Sequence, residues 1–309
     1  MAALSILGEY NMNEYVIITD SCCDLPREYI ESKNIPYVSL TCNFQGKEYR
    51  DDFGLSLNYK DFYEGMRKGE IPKTSQPNAD AYYKVFEDII KQQKKILYIC
   101  VSSGLSGTYN SANIAKNMIL DEYPEATLEI VDILTASLGQ GLMVMKAVEM
   151  QENGASFEDV IKYLEDTKLN LNTYIIVDDL NHLKRGGRIS TAAAFVGSVF
   201  HIKPVLTIND EGKVIAIRKA KGRKAGINEL AKFVIDKIEN PEDMMVTICH
   251  GDSEMDALKL KEAILKEVPV KEVMINYIGP VVGTYGGPGA LAVFFVGKRR
   301  QNHIIDVNI

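Results

Sequence analysis

Hydroxyl groups gathered in short loops are the side chains most able to do chemistry in this sequence. The loops are Asp20-Ser21, Thr74-Ser75 and Ser102-Ser103-Gly104-Leu105-Ser106-Gly107-Thr108. They stand at the carboxyl ends of expected strands, where open parallel sheets place their ligand crevice. The third loop leads into a helix, whose first backbone N–H groups, together with the serine hydroxyls, suit an anionic oxygen ligand. Taken singly, a Ser or Thr here more often just caps a helix; three such loops together point to a site. A fourth segment, Ile278 to Gly289, holds five glycines and two prolines around Tyr285. That density allows close approach of backbone to a ligand or equally a tight turn, and Tyr285 adds a phenolic donor. Cations cluster at Lys184, Arg185 and Arg188 and again from Arg218 to Lys224, where five of seven residues are basic. Such a run is either a solvated face or a docking patch for an acidic partner.

Other chemistries fail on spacing. Gly104-Leu105-Ser106-Gly107-Thr108 lacks the last glycine of a nucleophile elbow, and neither a phosphate-binding G-x-x-x-x-G-K-[ST] nor G-x-G-x-x-G stands at a strand-to-helix turn. His182, His201, His250 and His303 have no metal-ligand spacing. Cys22, Cys23, Cys42, Cys100 and Cys249 form no C-x-x-C pair and read as reduced thiols; a vicinal Cys22–Cys23 disulfide would be strained. A serine hydrolase pairing Ser103 or Ser106 with His250 stays as a rival reading without an identifiable third residue. A second rival is a regulatory module binding another small acid.

The elements that must position these loops alternate. Strands are expected at Tyr15 to Thr19, Tyr37 to Cys42, Lys95 to Val101 and Leu128 to Val131. Helices are expected at Arg27 to Asn34, Asn58 to Lys68, Asn78 to Lys91, Tyr109 to Leu120, Leu138 to Gln151 and Ser156 to Leu169. Ile71 to Pro77 reads as a loop because its two prolines exclude helix. This order implies a doubly wound, mostly parallel sheet. From Thr173 hairpins appear beside helices. Strands are expected at Tyr174 to Val177, on both sides of an Asn209-Asp210-Glu211-Gly212 turn, at Met245 to Cys249, Lys271 to Tyr277 and Ala290 to Gly297. Helices are expected at Glu229 to Glu239 and Met255 to Lys266, and Lys184 to Arg188 reads as a basic glycine-rich loop. The fold class is therefore α/β with two domains, a doubly wound domain over 13–170 and a mixed α+β domain over 171–305.

Composition agrees with this plan. The 309 residues are 46% hydrophobic and 25% charged, enough for a sizeable core, and the net charge of −7 gives no general attraction to nucleic acid or anionic lipid. No segment has the length of a membrane span or the pattern of a secretory signal, so stable membrane insertion is not expected and the location is expected to be cytoplasmic. Residues 1–11 carry no identifiable mechanism.

The ordered set of motifs resembles the DegV family. It consists of Asp20-Ser21-x-x-Asp24-Leu25-Pro26, Thr74-Ser75-Gln76-Pro77, Ser102 to Ala112, Arg185-Gly-Gly-Arg-Ile-Ser190, Lys203-Pro204 and Gly279-Pro-Val-Val-Gly-Thr284. The resemblance covers about Tyr15 to Arg300 and implies a protein that buries one long-chain fatty acid in a tunnel between its domains. It implies no catalysis of its own and no cofactor or metal. Instead the acid is presented to a separate ATP-dependent kinase subunit, which converts it to acyl phosphate for phospholipid synthesis. By resemblance Thr74 and Ser103 hydrogen-bond the carboxylate, and Ser75, Gly104 and Ser106 shape that end. Tyr285 stands where the family commonly has His, so a neutral phenol replaces a group able to carry charge, and Gly286 stands where a side chain is common. Arg188 and Arg223 match positions of partner docking, so replacing both is expected to leave lipid retention intact. Burying about 16 carbons at 0.8 kcal/mol per methylene is worth about 12 kcal/mol before association costs, so the tail sets affinity and the polar end sets orientation.

Overall fold

Strand β1 (Tyr15–Asp20) is the β-branched run near the N-terminus, and it ends in a turn that holds Cys22, Cys23 and Asp24. The computed structural model describes residues 14–189 and 202–300; Ser190, His201 and His303 lie outside these. Helix α1 (Arg27–Ser32) follows, then β2 (Tyr37–Val38), β3 (Thr41–Phe44), β4 (Lys47–Arg50), α2 (Tyr59–Arg67), β5 (Lys73–Ser75), α3 (Ala79–Ile90), β6 (Lys95–Cys100), α4 (Thr108–Glu122) and β7 (Leu128–Asp132). Helices α5 (Leu138–Glu152) and α6 (Phe157–Thr167) close this half. Three of these helices are capped by side chains: Asn58 and Asn78 accept from the first-turn N–H groups of α2 and α3, and Ser156 from Asp159 of α6.

Four strands form a parallel sheet in the order β2-β1-β6-β7. Strands β1 and β6 are buried along nearly their whole length because helices lie on both faces. Two expectations needed correction here. The single strand expected over Tyr37 to Cys42 divides at Ser39-Leu40, where the chain leaves the parallel sheet for a second, three-stranded antiparallel one, β4-β3-β5. The segment expected as a loop between Pro72 and Pro77 contains β5, an edge strand, a position that tolerates flanking proline.

The second half begins with β8 (Leu171–Ile176) and continues through α7 (Asn181–Gly186), β9 (Ile202–Ile208), β10 (Val214–Lys221), α8 (Arg223–Lys237), β11 (Met245–His250), α9 (Glu254–Leu265), β12 (Glu272–Tyr277), α10 (Pro280–Gly286) and β13 (Leu291–Val296). Its strands form one mixed sheet, β10-β9-β8-β13-β11-β12. One face packs on α8 and α9; the other faces α5. Helix α5 thus lies between the two large sheets, and Leu138 to Met145 are all buried, as a helix covered on every side requires. Two glycine-rich loops turn out to be short helices. Gly187, at φ +70°, ends α7 with the Gly187 and Arg188 N–H groups bonded back into it, while Pro280 opens α10 and Gly287 closes it.

Candidate functional site

Between the parallel sheet and the mixed sheet lies a cavity of about 410 Å³, within the range of about 300–1,000 Å³ usual for small-molecule sites. Its wall is mostly apolar, from Leu40, Val101, Leu105, Ile175, Ile208 and Phe294 among others. Four polar lining groups away from its hydroxyl end are already occupied or inert. Ser137 is hydrogen-bonded to Asp24 and to the Cys249 sulfur, Thr173 pairs with Thr135 at 3.1 Å, and burial pushes the Cys22 and Cys249 thiols up.

One end is different. Thr74 on β5 and Tyr285 on α10 meet there, Oγ1 to phenol oxygen 2.6 Å. Arg188 lies beside them, its guanidinium 4.7 Å from the Tyr285 ring centroid and its Nε donating to the Leu105 carbonyl at 3.1 Å. Helix α7 permits this stack because it has glycine under the ring: a Cβ added at Gly186 would stand 2.2 Å from Tyr285 Cδ1. Ser75, Gln76, Ser106 and Gly286 complete the end. Two hydroxyl donors and a guanidinium converge there on one opening, an arrangement suited to an acid's oxygens.

Of the residues singled out from sequence, Thr74, Ser75, Ser106 and Tyr285 line this cavity, and Ser103 and Gly104 do not. The reason is the turn after β6. Leu105 and Ser106 N–H groups both bond the Ser102 carbonyl, which turns Ser102, Leu105 and Ser106 inward and leaves Ser103 exposed, its N–H on Asp132 at 3.2 Å. Gly104 serves packing instead, since an added Cβ would stand 2.5 Å from the Glu211 carbonyl in the β9–β10 turn. Ser102 donates to Gly212 of that turn at 2.9 Å, so this loop joins the two halves. Asp20 and Ser21 are structural as well. The Asp20 carboxylate, raised by burial, accepts from Tyr98, Gln140 and the Val101 and Cys22 N–H groups, and Ser21 accepts from Leu40.

The two arginines part company. Arg188, expected at a docking patch, is in the cavity lining; Arg223 opens α8 and pairs with Asp256 at 2.8 Å and Asp178 at 3.6 Å, outside that lining. Within the basic run, Arg218 is also matched, by Glu229 at 2.5 Å. The hydrolase reading finds no assembly: His250 accepts from the Ser253 N–H and packs on Tyr277, and among the described residues neither Ser103 nor Ser106 hydrogen-bonds it. Among the described residues no cluster of His, Cys, Asp and Glu is arranged to hold a metal, and no helix is long and apolar enough to cross a membrane.

The fold and the cavity together define a class: an α/β protein enclosing an apolar chamber between its two large sheets, with one hydroxyl- and arginine-bearing end. Within that class the chain belongs to the DegV family, whose model, described as an uncharacterised protein family, matches residues 14–298. A DegV domain-containing protein of Clostridium perfringens is 43% identical over 94% of this chain and 100% of its own. Two solved structures are similar over 92% of this chain and 99% of theirs, each at 32% identity. One is a DegV family protein from Thermus thermophilus described for its fatty acid binding, with a TM-score of 0.84. The other is DegV of Bacillus subtilis, described as a fatty acid binding protein, with a TM-score of 0.79.

Proposed function

We propose that this protein binds one long-chain fatty acid in the cavity and presents its carboxylate to a separate ATP-using kinase subunit in the cytoplasm. The acyl phosphate formed there then feeds phospholipid synthesis. The observation that carries the binding part is the pairing of a mostly apolar chamber with the Thr74–Tyr285 hydroxyl pair at one end. Paired with each other, only one of these hydroxyls donates; a carboxylate between them lets both donate, one to each oxygen. Arg188 supplies the positive charge that a neutral phenol lacks, and Ser75 and Ser106 bound the opening. Ser103 and Gly104 act indirectly, by holding the loop that carries Leu105 and Ser106. The acid is gripped between a domain over 13–170 and one over 171–305. Arg223 stays with partner docking.

Native mass spectrometry of the purified chain tests this: the protein is expected to carry one added fatty-acid mass that organic extraction removes. Tyr285→Phe deletes one hydrogen bond to a charged group, about 1.5–3 kcal/mol, and is expected to weaken binding of added oleate about ten- to hundred-fold. An ordered acid whose carboxylate lies far from the phenol would sink the assignment.

A further inference from the structure

We infer that Phe294 is the stop against which the far end of the bound chain rests, so that this one ring sets the length of acid accepted. The inference rests on the fatty-acid reading and follows from the register of the mixed sheet. Strand β13 pairs antiparallel with β8, with Ala292 opposite Ile175 and Phe294 opposite Thr173. Side chains alternate along a strand, so Ala290, Ala292 and Phe294 share one face, and all three line the cavity. Ala290 is at the hydroxyl end, since a Cβ on Gly286, next to Tyr285, would stand 3.1 Å from its Cβ. Four residues on, at roughly 3.3 Å each, Phe294 lies about 13 Å deeper.

The two alanines leave room over the sheet and the phenylalanine fills it. The ring is wedged: a Cβ added at Gly139 of α5 would stand 2.6 Å from Phe294 Cδ1. Its neighbours in the row are fixed too, Thr173 by Thr135 and Thr247 by the Leu138 carbonyl at 3.0 Å. One same-face step further, Val296 no longer lines this cavity. It lines a second cleft of about 390 Å³, shared with Leu142 and Met143 of α5. Phe294 is therefore the partition between an inner chamber and an outer cleft.

The test is competition. Wild type, Phe294→Ala and Ala292→Leu are each offered an equimolar mixture of saturated acids from dodecanoate to eicosanoate, and the retained acids are extracted and weighed by mass spectrometry. Phe294→Ala removes the stop and is expected to move the retained distribution roughly two or more carbons longer. Ala292→Leu narrows the path above it and is expected to move the distribution shorter. An unchanged distribution in Phe294→Ala overturns the assignment. Should that variant fail to fold, an unchanged distribution in Ala292→Leu does the same. A wild-type protein that retains none of the acids overturns the fatty-acid reading itself, an outcome distinct from retention without a shift.

Discussion

Replacing Arg188 by Met is expected to weaken binding of a fatty acid by roughly thirty- to 150-fold, about 2–3 kcal/mol, while Arg223→Met leaves it unchanged. The asymmetry comes from position. Arg188 is half-buried in the cavity lining, stacked on Tyr285, with its Nη1 donating to the Gly186 carbonyl at 2.5 Å and its Nε to Leu105. A carboxylate between Thr74 and Tyr285 has no other cation among the described lining residues. Removing the guanidinium leaves the acid's charge partly desolvated with only neutral donors, which is costlier than losing one neutral hydrogen bond. Arg188→Lys is expected to fall between, because an ammonium keeps the charge and loses the planar stack and the fixed fork. Arg223 is held by Asp256 and Asp178 on the α8–α9 side, and its replacement is expected to act only on acyl-phosphate formation in a reconstituted pair with the kinase subunit. Equal lipid affinity in wild type and Arg188→Met returns Arg188 to the docking role that its motif implies.

Arg188 also shows what the sequence could and could not convey. Regular elements were legible because periodicity and capping are local: the alternation up to α6, the hairpin around Asn209 to Gly212 and the helix opening at Asn58 all follow from neighbours within one turn. The site was legible as residue types, since hydroxyl loops and the tyrosine loop were singled out and Thr74 does meet Tyr285 across 211 positions. What stayed hidden depends on which way a turn points. Ser103 and Ser106 are three residues apart in one motif, yet a single carbonyl at Ser102 accepting two N–H groups sends one outward and the other inward. Glycine density hid α7 and α10, though Pro280 and the glycine following each helix are ordinary start and stop signals. The alternation Ala290, Ala292, Phe294 was readable as period two in the last apolar strand; that it faces a chamber was not, because β13 is buried on both faces.

The cavity wall also backs onto a pair of buried acids, and stability is expected to fall as pH rises through them. Asp24 is hydrogen-bonded to the Ser137 hydroxyl and accepts from the Gly279 N–H at 2.9 Å, and burial pushes its carboxyl up to about 7. Asp51 shares the pocket over Gly279: a Cβ there would stand 2.6 Å from Asp24 Oδ1 and 3.3 Å from Asp51 Oδ1. Burial first, and then the Asp24 charge, holds Asp51 well above the usual carboxylate range, and its Oδ2 has no hydrogen-bond partner. The neighbours bearing on the pair are Asp20, Asp52, Cys23, Cys249, Tyr59 and Tyr63, and among the described residues no cation is paired with either acid. The folded state therefore keeps protons that the unfolded chain releases above about pH 4. With more protons on the native state, stability is fully present below that value and is lost progressively up to about pH 7, where Asp24 ionises in the fold as well. For Asp24 alone the interval corresponds to roughly 4 kcal/mol. Asp24→Asn preserves an acceptor for Gly279 and presents an N–H toward Ser137, much as the protonated acid would. Urea denaturation is expected to find the variant near wild type at pH 5 and more stable than wild type at pH 8. If wild-type stability instead climbs between pH 5 and pH 8 and the variant follows it, the acids are ionised in the fold. Because Ser137 and Val281 line the chamber, charging the pair bears directly on the wall that holds the acid's chain.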